Sequence, residues 1–198
     1  MFRVFVLILL SLLVSTATAG GNGIKQADEL LELVDAPPGG DFSLTSPGRE
    51  FSLSQLRGKV VLLYFGYTRC PDICPTSLLY LSQALNELNE DELEGVRALF
   101  VSVDPERDTP EVLDEYSQYF HPNMMGVTGG EQEIAKAARL YGAQYYQVEL
   151  KGSPFGYSVN HSAATYLVTP EGELRFIFPY ATPSSVILEA IRYVIGGN

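Results

Sequence analysis

One short stretch, residues 60–75, limits what this chain can fold into. Val60–Phe65 is continuously apolar and rich in β-branched and aromatic residues, which is typical of a central parallel strand covered on both faces. Cys70 and Cys74 follow in one loop, and Pro75 favours a helix that begins at Cys74 with the proline as its first residue. We therefore predict two thiols at the carboxyl end of a central strand. Because a helix N-terminus stabilises a thiolate, the pattern also predicts a lowered pKa for Cys74.

Along the rest of the chain, short apolar segments alternate with amphipathic helical ones. The patterns predict a hairpin at 42–53, strands at 60–65, 96–103, 125–128, 164–169 and 174–178, and helices at 75–90, 110–120, 134–141 and 186–194. Residues 145–160 are aromatic and glycine-rich, and we expect an excursion with marginal strands. Alternating strands and helices imply a mainly parallel sheet, to which the closing hairpin adds antiparallel strands. The predicted fold is α/β and thioredoxin-like, with a central mixed sheet flanked by helices and an N-terminal β-hairpin.

The N-terminal residues have the features of an export signal. Arg3 precedes an apolar run, and Ala17-Thr18-Ala19 fits a small-residue cleavage site before Gly20. We expect residues 1–19 to be a signal peptide, 20–40 a flexible leader and 41–198 a single thioredoxin-like domain. An uncleaved signal would anchor the protein to the membrane instead. Both outcomes predict the periplasm, an oxidising compartment in which two thiols can pair.

Length and charge narrow the class of protein further. A chain of 198 residues, 46% of them hydrophobic, is long enough for one domain with a substantial core. The formal net charge of −11 at pH 7 argues against nucleic acid as a partner.

Three kinds of chemistry are open to the cysteine pair: a structural disulfide, thiol–disulfide exchange and metal binding. Three residues separate the thiols, one more than in thioredoxins, and a disulfide can still close across that spacing. A metal would need a further ligand, and the chain has two histidines. His121 precedes Pro122 at a helix end and is interpreted as an exposed C-terminal residue. His161 leads into the strand at 164–169, which places it beside the cysteine loop in a thioredoxin-like sheet. Two thiolates and one imidazole suit Cu(I), whereas structural zinc normally takes a fourth protein ligand.

Four motifs, in order, resemble those of the Sco/SenC family. They are Gly66-Tyr67-Thr68-Arg69-Cys70-Pro71-Asp72-Ile73-Cys74-Pro75, Val103-Asp104-Pro105-Glu106-Arg107-Asp108-Thr109-Pro110, Gly126-Val127-Thr128-Gly129 and Asn160-His161-Ser162. The resemblance runs from about Asp41 to the C-terminus. It implies a periplasmic or membrane-anchored thioredoxin-like domain that binds one copper ion, Cu(I) or Cu(II), through Cys70, Cys74 and His161. It also implies delivery of copper to the dinuclear copper centre of cytochrome c oxidase subunit II, or reduction of that subunit's cysteines beforehand.

The favoured hypothesis is therefore a copper-binding assembly factor, a binding and transfer protein rather than an enzyme. Its expected partners are subunit II and a periplasmic thiol reductant or another copper chaperone. One alternative is a periplasmic thiol–disulfide oxidoreductase, or more remotely a thiol peroxidase, in which Cys70 and Cys74 are a redox-active disulfide pair. The other is a binding domain with a structural disulfide. His161 discriminates among them, because neither alternative gives it a role.

The chain departs from the family pattern at Asn160, where an aspartate usually precedes the histidine. An aspartate there would stabilise the protonated imidazole and add negative field at the metal, whereas asparagine contributes no charge. Asp72, between the two cysteines, either tunes the thiols or serves as an ordinary helix-start carboxylate. Asp104 and Asp108 are explained by turn formation and helix capping, without chemistry.

Overall fold

The computed structural model describes residues 37–152 and 156–197. The predicted signal peptide and most of the predicted leader lie outside the described residues. The elements are β1 (Ser43–Ser46), β2 (Arg49–Ser52), β3 (Val60–Gly66), α1 (Ile73–Asn86), α2 (Glu90–Glu94), β4 (Val96–Ser102), α3 (Pro110–Phe120), β5 (Met124–Val127), α4 (Glu131–Leu140), β6 (Tyr145–Glu149), β7 (Tyr157–His161), β8 (Thr165–Val168), β9 (Leu174–Phe178) and α5 (Ser184–Ile195). Within those two ranges, every helix is too short or too polar to cross a membrane.

The main sheet is built around β3, and its strand order is β5-β4-β3-β8-β9. β3 is parallel to β4 and β4 is parallel to β5, whereas β8 is antiparallel to β3 and β9 is antiparallel to β8. All seven residues of β3 are buried, as expected for a central strand covered on both faces. The predicted α/β fold with a central mixed sheet is confirmed.

The predicted N-terminal hairpin is also present. β1 and β2 pair antiparallel around the two-residue turn Pro47–Gly48, where the glycine has a φ of +70° that a side chain would disfavour. The hairpin is joined to the end of β5 by a single bridge, in which the Thr45 N–H donates to the carbonyl of Thr128 at 2.6 Å.

The chain makes contact with the fold before β1 begins. The Gly39 N–H donates to the Leu140 carbonyl at 2.8 Å, and the Tyr141 hydroxyl donates to the Gly40 carbonyl at 2.9 Å. Residues 37–40, predicted to be the end of a flexible leader, are thus attached to the C-terminal end of α4.

Successive side chains of β3 point to opposite faces of the sheet. Tyr64 stacks on Phe100 of β4, on the face where Cys74 and α1 lie. Phe65 packs against Tyr141 on the other face. Each of these rings is buried, and burying a large apolar side chain stabilises the fold by about 1.5–3 kcal/mol. The cysteines therefore belong to a single, well-packed face of the sheet.

The first long helix begins two residues earlier than predicted. α1 starts at Ile73, and the N–H of Thr76 donates to the Asp72 carbonyl at 3.2 Å. Pro75 is then the third helical residue. The first four N–H groups of a helix have no intrahelical acceptor, so a proline at this position removes no hydrogen bond. The prediction that Pro75 opens the helix was wrong for that reason.

α1 also ends sooner than predicted, at Asn86 rather than near Glu90. A separate short helix, α2, follows it. Asn89 caps α2 by accepting the Glu92 N–H at 2.9 Å, and Glu92 accepts the Asn89 N–H at 2.9 Å. This reciprocal capping box starts a new helix instead of continuing the old one.

β6 and β7 form a separate two-stranded sheet. They pair antiparallel, with Tyr145 opposite His161 and Tyr146 opposite Asn160. The sequence predicted only marginal strands here, yet each has five residues. His161 is the last residue of β7, so its side chain projects from a strand and not from the loop that the sequence suggested.

Candidate metal centre

Three side chains that bind soft metals meet at the carboxyl end of β3. The sulfurs of Cys70 and Cys74 and one ring nitrogen of His161 all lie within 4.8 Å of one another. Cys74 Sγ is 3.1 Å from His161 Nε2, and the Cys74 N–H donates to Cys70 Sγ at 3.4 Å. Among the residues that the structure describes, this is the one group of three or more His, Cys, Asp and Glu side chains close enough to hold a metal ion. The structure thus brings together the three residues singled out from the sequence.

The sulfur of Cys74 occupies space beside Gly66, the last residue of β3. A β-carbon at Gly66 would lie 2.7 Å from that sulfur and 2.9 Å from the ring of Phe100. Cys74 and Phe100 are both fully buried, so neither has room to retreat. β3 therefore ends in glycine because a buried thiol fills the place of a side chain.

The imidazole of His161 is held in one orientation. Its Nδ1 is 3.0 Å from the carbonyl oxygen of Ser162, and a carbonyl only accepts hydrogen bonds, so Nδ1 carries a proton. Nε2 faces Cys74 and is the ring nitrogen left to bind a metal ion. Metal-binding histidines are commonly oriented in this way. The rings of Tyr64 and Tyr67 pack edge-on against the imidazole, with centroids 6.1 and 5.8 Å away.

The two thiols differ in acidity, opposite to what the helix position alone predicted. Hydrogen bonding from the Cys74 side chain, aided by His161, lowers the pKa of Cys70 to about 4 in spite of partial burial. Burial raises the pKa of Cys74, and the neighbouring Cys70 thiolate raises it further. The prediction of a lowered pKa at Cys74 was therefore wrong, because burial outweighs the helix dipole for this thiol. At neutral pH and without metal, these opposite pKa shifts favour a thiolate on Cys70 and a proton on Cys74.

Asp108 braces the segment that leads to Cys70. Its carboxylate is fully buried and accepts hydrogen bonds from the N–H and hydroxyl of Thr68, at 2.9 and 2.5 Å, and from the Ser102 hydroxyl at 2.6 Å. The sequence pattern indicated turn formation and helix capping for Asp104 and Asp108, but neither caps α3. The cap is Thr109, whose hydroxyl accepts the Val112 N–H at 3.4 Å.

Asp72 and Asn160 lie next to ligand candidates but point elsewhere. Asp72 is exposed and its side chain makes no capping hydrogen bond to α1. The Asn160 side chain donates to the Tyr146 hydroxyl at 2.9 Å. Because successive residues of a strand face opposite sides, Asn160 projects away from the side occupied by His161. The aspartate charge that is usual in the family is thus absent from the outer side of β7, the side opposite His161.

His121 is not part of the site, and its environment differs from the prediction. It is buried, 7% exposed, instead of lying on the surface. Its Nδ1 accepts the Asn123 N–H at 3.0 Å, and burial lowers its pKa. The prediction for His121 considered only the dipole of the preceding helix. The turn that brings Asn123 back to the His121 ring is not indicated by that local pattern.

Sequence reasoning also missed the side chains behind the ligands. Arg107 and Tyr157 interact directly, with the guanidinium 3.7 Å from the ring centre, although fifty residues separate them in the chain. Arg107 lies in the second quoted motif, but no role was assigned to it from the sequence. Tyr157 lies in an aromatic segment, and no feature of the sequence distinguished it there.

Comparison with known proteins agrees with this geometry. The SCO1/SenC family profile matches residues 33–196. The chain is 42% identical over 155 residues to the SCO2 homolog of Bos taurus, covering 77% of this chain and 58% of that protein. The copper-bound structure of Arabidopsis thaliana ScoI is 37% identical with a TM-score of 0.74, covering 81% of this chain and 99% of that one. BsSco is 25% identical, with a TM-score of 0.63 over 84% of this chain and 99% of its own. A disulfide switch has been identified in BsSco, which is a member of the Sco family of cytochrome c oxidase assembly proteins. A profile that covers most of the chain, together with relatives of this similarity, shows that the chain belongs to the SCO1/SenC family.

Proposed function

We propose that this protein binds one copper ion through Cys70, Cys74 and His161 and serves as a copper chaperone. The observation that carries the proposal is the convergence of two sulfurs and one imidazole nitrogen within 4.8 Å. This soft set of three ligands matches the preference of Cu(I). The family relative from Arabidopsis has been solved with copper bound, which supports the same cargo here.

The proposed destination of the copper is the dinuclear copper site of cytochrome c oxidase subunit II. The description of BsSco as one of a family of cytochrome c oxidase assembly proteins supports an oxidase as the client. The further step to subunit II is what the resemblance to the Sco/SenC family implies, and a copper centre still under assembly offers empty ligands that can accept a soft metal ion from thiolates.

The chain's own residues suit capture and release of such an ion. The Cys70 thiolate is available without a proton loss, whereas the Cys74 thiol must give up its proton as the metal binds. Cys74 is fully buried and Cys70 is 8% exposed, while His161 is half-buried. A partner's ligand can therefore reach the metal from the histidine side, replacing His161 first and the deeper sulfurs later.

A thiol–disulfide oxidoreductase is the second candidate, and the unequal thiols favour it. The Cys70 thiolate would attack a disulfide of subunit II and form a mixed disulfide, releasing one thiolate of the partner. Cys74 would then lose its proton and attack Cys70 Sγ, so that the second partner thiol leaves. Both electrons pass to subunit II, and this protein is left with a Cys70–Cys74 disulfide. A periplasmic thiol reductant would restore the dithiol.

A transfer experiment with a His161 variant distinguishes the two functions. Reduced, Cu(I)-loaded protein is mixed without oxygen with the soluble domain of subunit II, either copper-free and reduced or with its cysteines oxidised. Copper transfer to the reduced domain is expected with the wild-type chain and is expected to fail with His161→Ala, which cannot be loaded tightly. Disulfide reduction should survive in His161→Ala, because it uses only the two thiols. If the wild-type chain transfers no copper yet reduces the oxidised domain, the oxidoreductase is the function.

The proposed location is the periplasm, after removal of residues 1–19. The Ala17-Thr18-Ala19 pattern before Gly20 supports cleavage at that point. The intact mass of the protein from its native host is expected to correspond to a chain that begins at Gly20, in the soluble fraction. A full-length mass in the membrane fraction would contradict cleavage and favour the uncleaved anchor.

A further inference from the structure

The strand that ends in His161 is attached to the rest of the fold by side chains. β7 pairs with β6 in a sheet separate from the five-stranded one. Its first residue, Tyr157, is held by Arg107. Nη1 of the guanidinium donates to the Tyr157 carbonyl at 2.9 Å, and the guanidinium lies 3.7 Å from the centre of the tyrosine ring.

A buried carboxylate fixes this arginine–tyrosine pair. Asp104 is fully buried. It accepts hydrogen bonds from Nε of Arg107 at 2.5 Å and from the Tyr157 hydroxyl at 2.7 Å. The Asp104 carboxylate holds Arg107 and Tyr157 in one geometry, because loss of either hydrogen bond would leave part of a buried carboxylate without a donor.

Arg107 also lies beside Tyr67, whose ring packs against His161. Its guanidinium carbon is 5.7 Å from the centre of the Tyr67 ring. The Tyr67 ring in turn packs perpendicular to the imidazole of His161, with centroids 5.8 Å apart. The arginine is therefore in contact with the start of β7 and with the ring against which the histidine at the end of β7 rests.

The turn 104–108 thus has two separate attachments. Asp108 binds Thr68, two residues before Cys70. Asp104 and Arg107 bind Tyr157, four residues before His161 on the same strand. The turn 104–108 consequently contacts both the segment that leads to the cysteines and the strand that carries His161.

We infer that Arg107, supported by Asp104, is a positioning residue that fixes His161 at its distance from the two sulfurs. The inference rests on the proposed copper-binding function. Groups that orient a metal ligand typically change metal affinity by about 10–100-fold when they are removed. Since the cysteine segment is held by Asp108, loss of Arg107 weakens copper binding by displacing His161, while the two sulfurs stay in place.

The test uses Arg107→Gln and the milder Tyr157→Phe, with Arg97→Gln as the matched control. Arg97 also donates to backbone carbonyls, those of Val96 and Leu93, but near the opposite end of β4. Cu(I) affinity is measured without oxygen by competition with a chromophoric chelator. The rate of Cys70 alkylation is measured on the metal-free protein. Arg107→Gln is expected to weaken Cu(I) binding about 10–100-fold, with an alkylation rate no higher than that of His161→Ala, because only the histidine is displaced. Tyr157→Phe is expected to weaken binding less, and Arg97→Gln to leave both quantities unchanged.

A double-substitution cycle shows whether the arginine acts through the histidine. In a His161→Ala background, where two thiolates retain weak Cu(I) binding, adding Arg107→Gln is expected to have no further effect. An equal loss in both backgrounds, an alkylation rate in Arg107→Gln above that of His161→Ala, or wild-type affinity in Arg107→Gln would each overturn the inference. If His161→Ala itself binds copper like the wild type, the proposed ligand set fails instead, so the two failures are distinct.

Discussion

His161→Ala is expected to abolish tight copper binding. Structural zinc sites with four protein ligands bind with about 10–16 kcal/mol. At about 2.5–4 kcal/mol per ligand by that measure, loss of one ligand costs roughly two to three orders of magnitude in affinity. Cys70→Ala and Cys74→Ala are expected to cost at least as much, because a thiolate binds Cu(I) more strongly than an imidazole does. Anaerobic titration of the reduced protein with Cu(I), with metal stoichiometry and absorption recorded, measures each loss.

His121→Ala is the control for the ligand substitutions. His121 accepts a hydrogen bond from Asn123 and is buried, so its removal is expected to lower the melting temperature while leaving copper stoichiometry and affinity unchanged. This contrast separates a lost ligand from a weakened fold. A His161→Ala variant with wild-type affinity would remove the histidine from the ligand set and favour the oxidoreductase.

Oxidation of the two thiols is expected to release the copper completely. Cys70 and Cys74 cannot be joined in a disulfide and donate as thiolates at the same time. Oxidised glutathione supplies a defined two-electron oxidant: its disulfide is reduced to two molecules of glutathione as the Cys70–Cys74 bond forms. Copper occupancy is expected to fall from about one to near zero as the protein disulfide accumulates, and a thiol-free reductant should restore binding.

The converse experiment examines the same coupling from the metal side. Bound copper is expected to protect both sulfurs from iodoacetamide. In the metal-free protein at pH 6, alkylation is expected on Cys70 and not on Cys74, because the pKa of Cys70 is lowered to about 4 and that of Cys74 is raised. Peptide mass analysis locates the modified cysteine. Full copper occupancy in the oxidised protein would exclude the cysteines as ligands.

Local sequence patterns were sufficient to predict the main sheet. The continuous β-branched and aromatic character of Val60–Phe65 predicts a strand covered on both faces, and the Pro47–Gly48 pair is typical of a tight turn. The start of α1 was misplaced because a proline is tolerated anywhere in the first helical turn, so Pro75 limits the start of the helix without fixing it.

The candidate ligands could be predicted, but their environment could not. The choice of Cys70, Cys74 and His161 depended on residue types and on a family resemblance, neither of which needs coordinates. The acidity of the thiols depends on how deeply Cys74 is buried, which tertiary packing decides. The contacts of Asp104 and Arg107 with Tyr157 join residues about fifty positions apart, and no local period encodes them.

The separate sheet of β6 and β7 has a consequence for how this protein is recognised. The two candidate sulfur ligands belong to the packed centre of the domain, and the candidate imidazole ligand belongs to the β6–β7 sheet, which also carries Tyr146 with a side chain that is 62% exposed. In the proposed function, an ion held by all three would tie the β6–β7 sheet to the centre, whereas an empty or oxidised site would leave that task to the protein's own contacts. The cargo and the exposed surface of this sheet would then be coupled, and a partner that touches the sheet would distinguish the loaded protein from the empty one without contacting the metal.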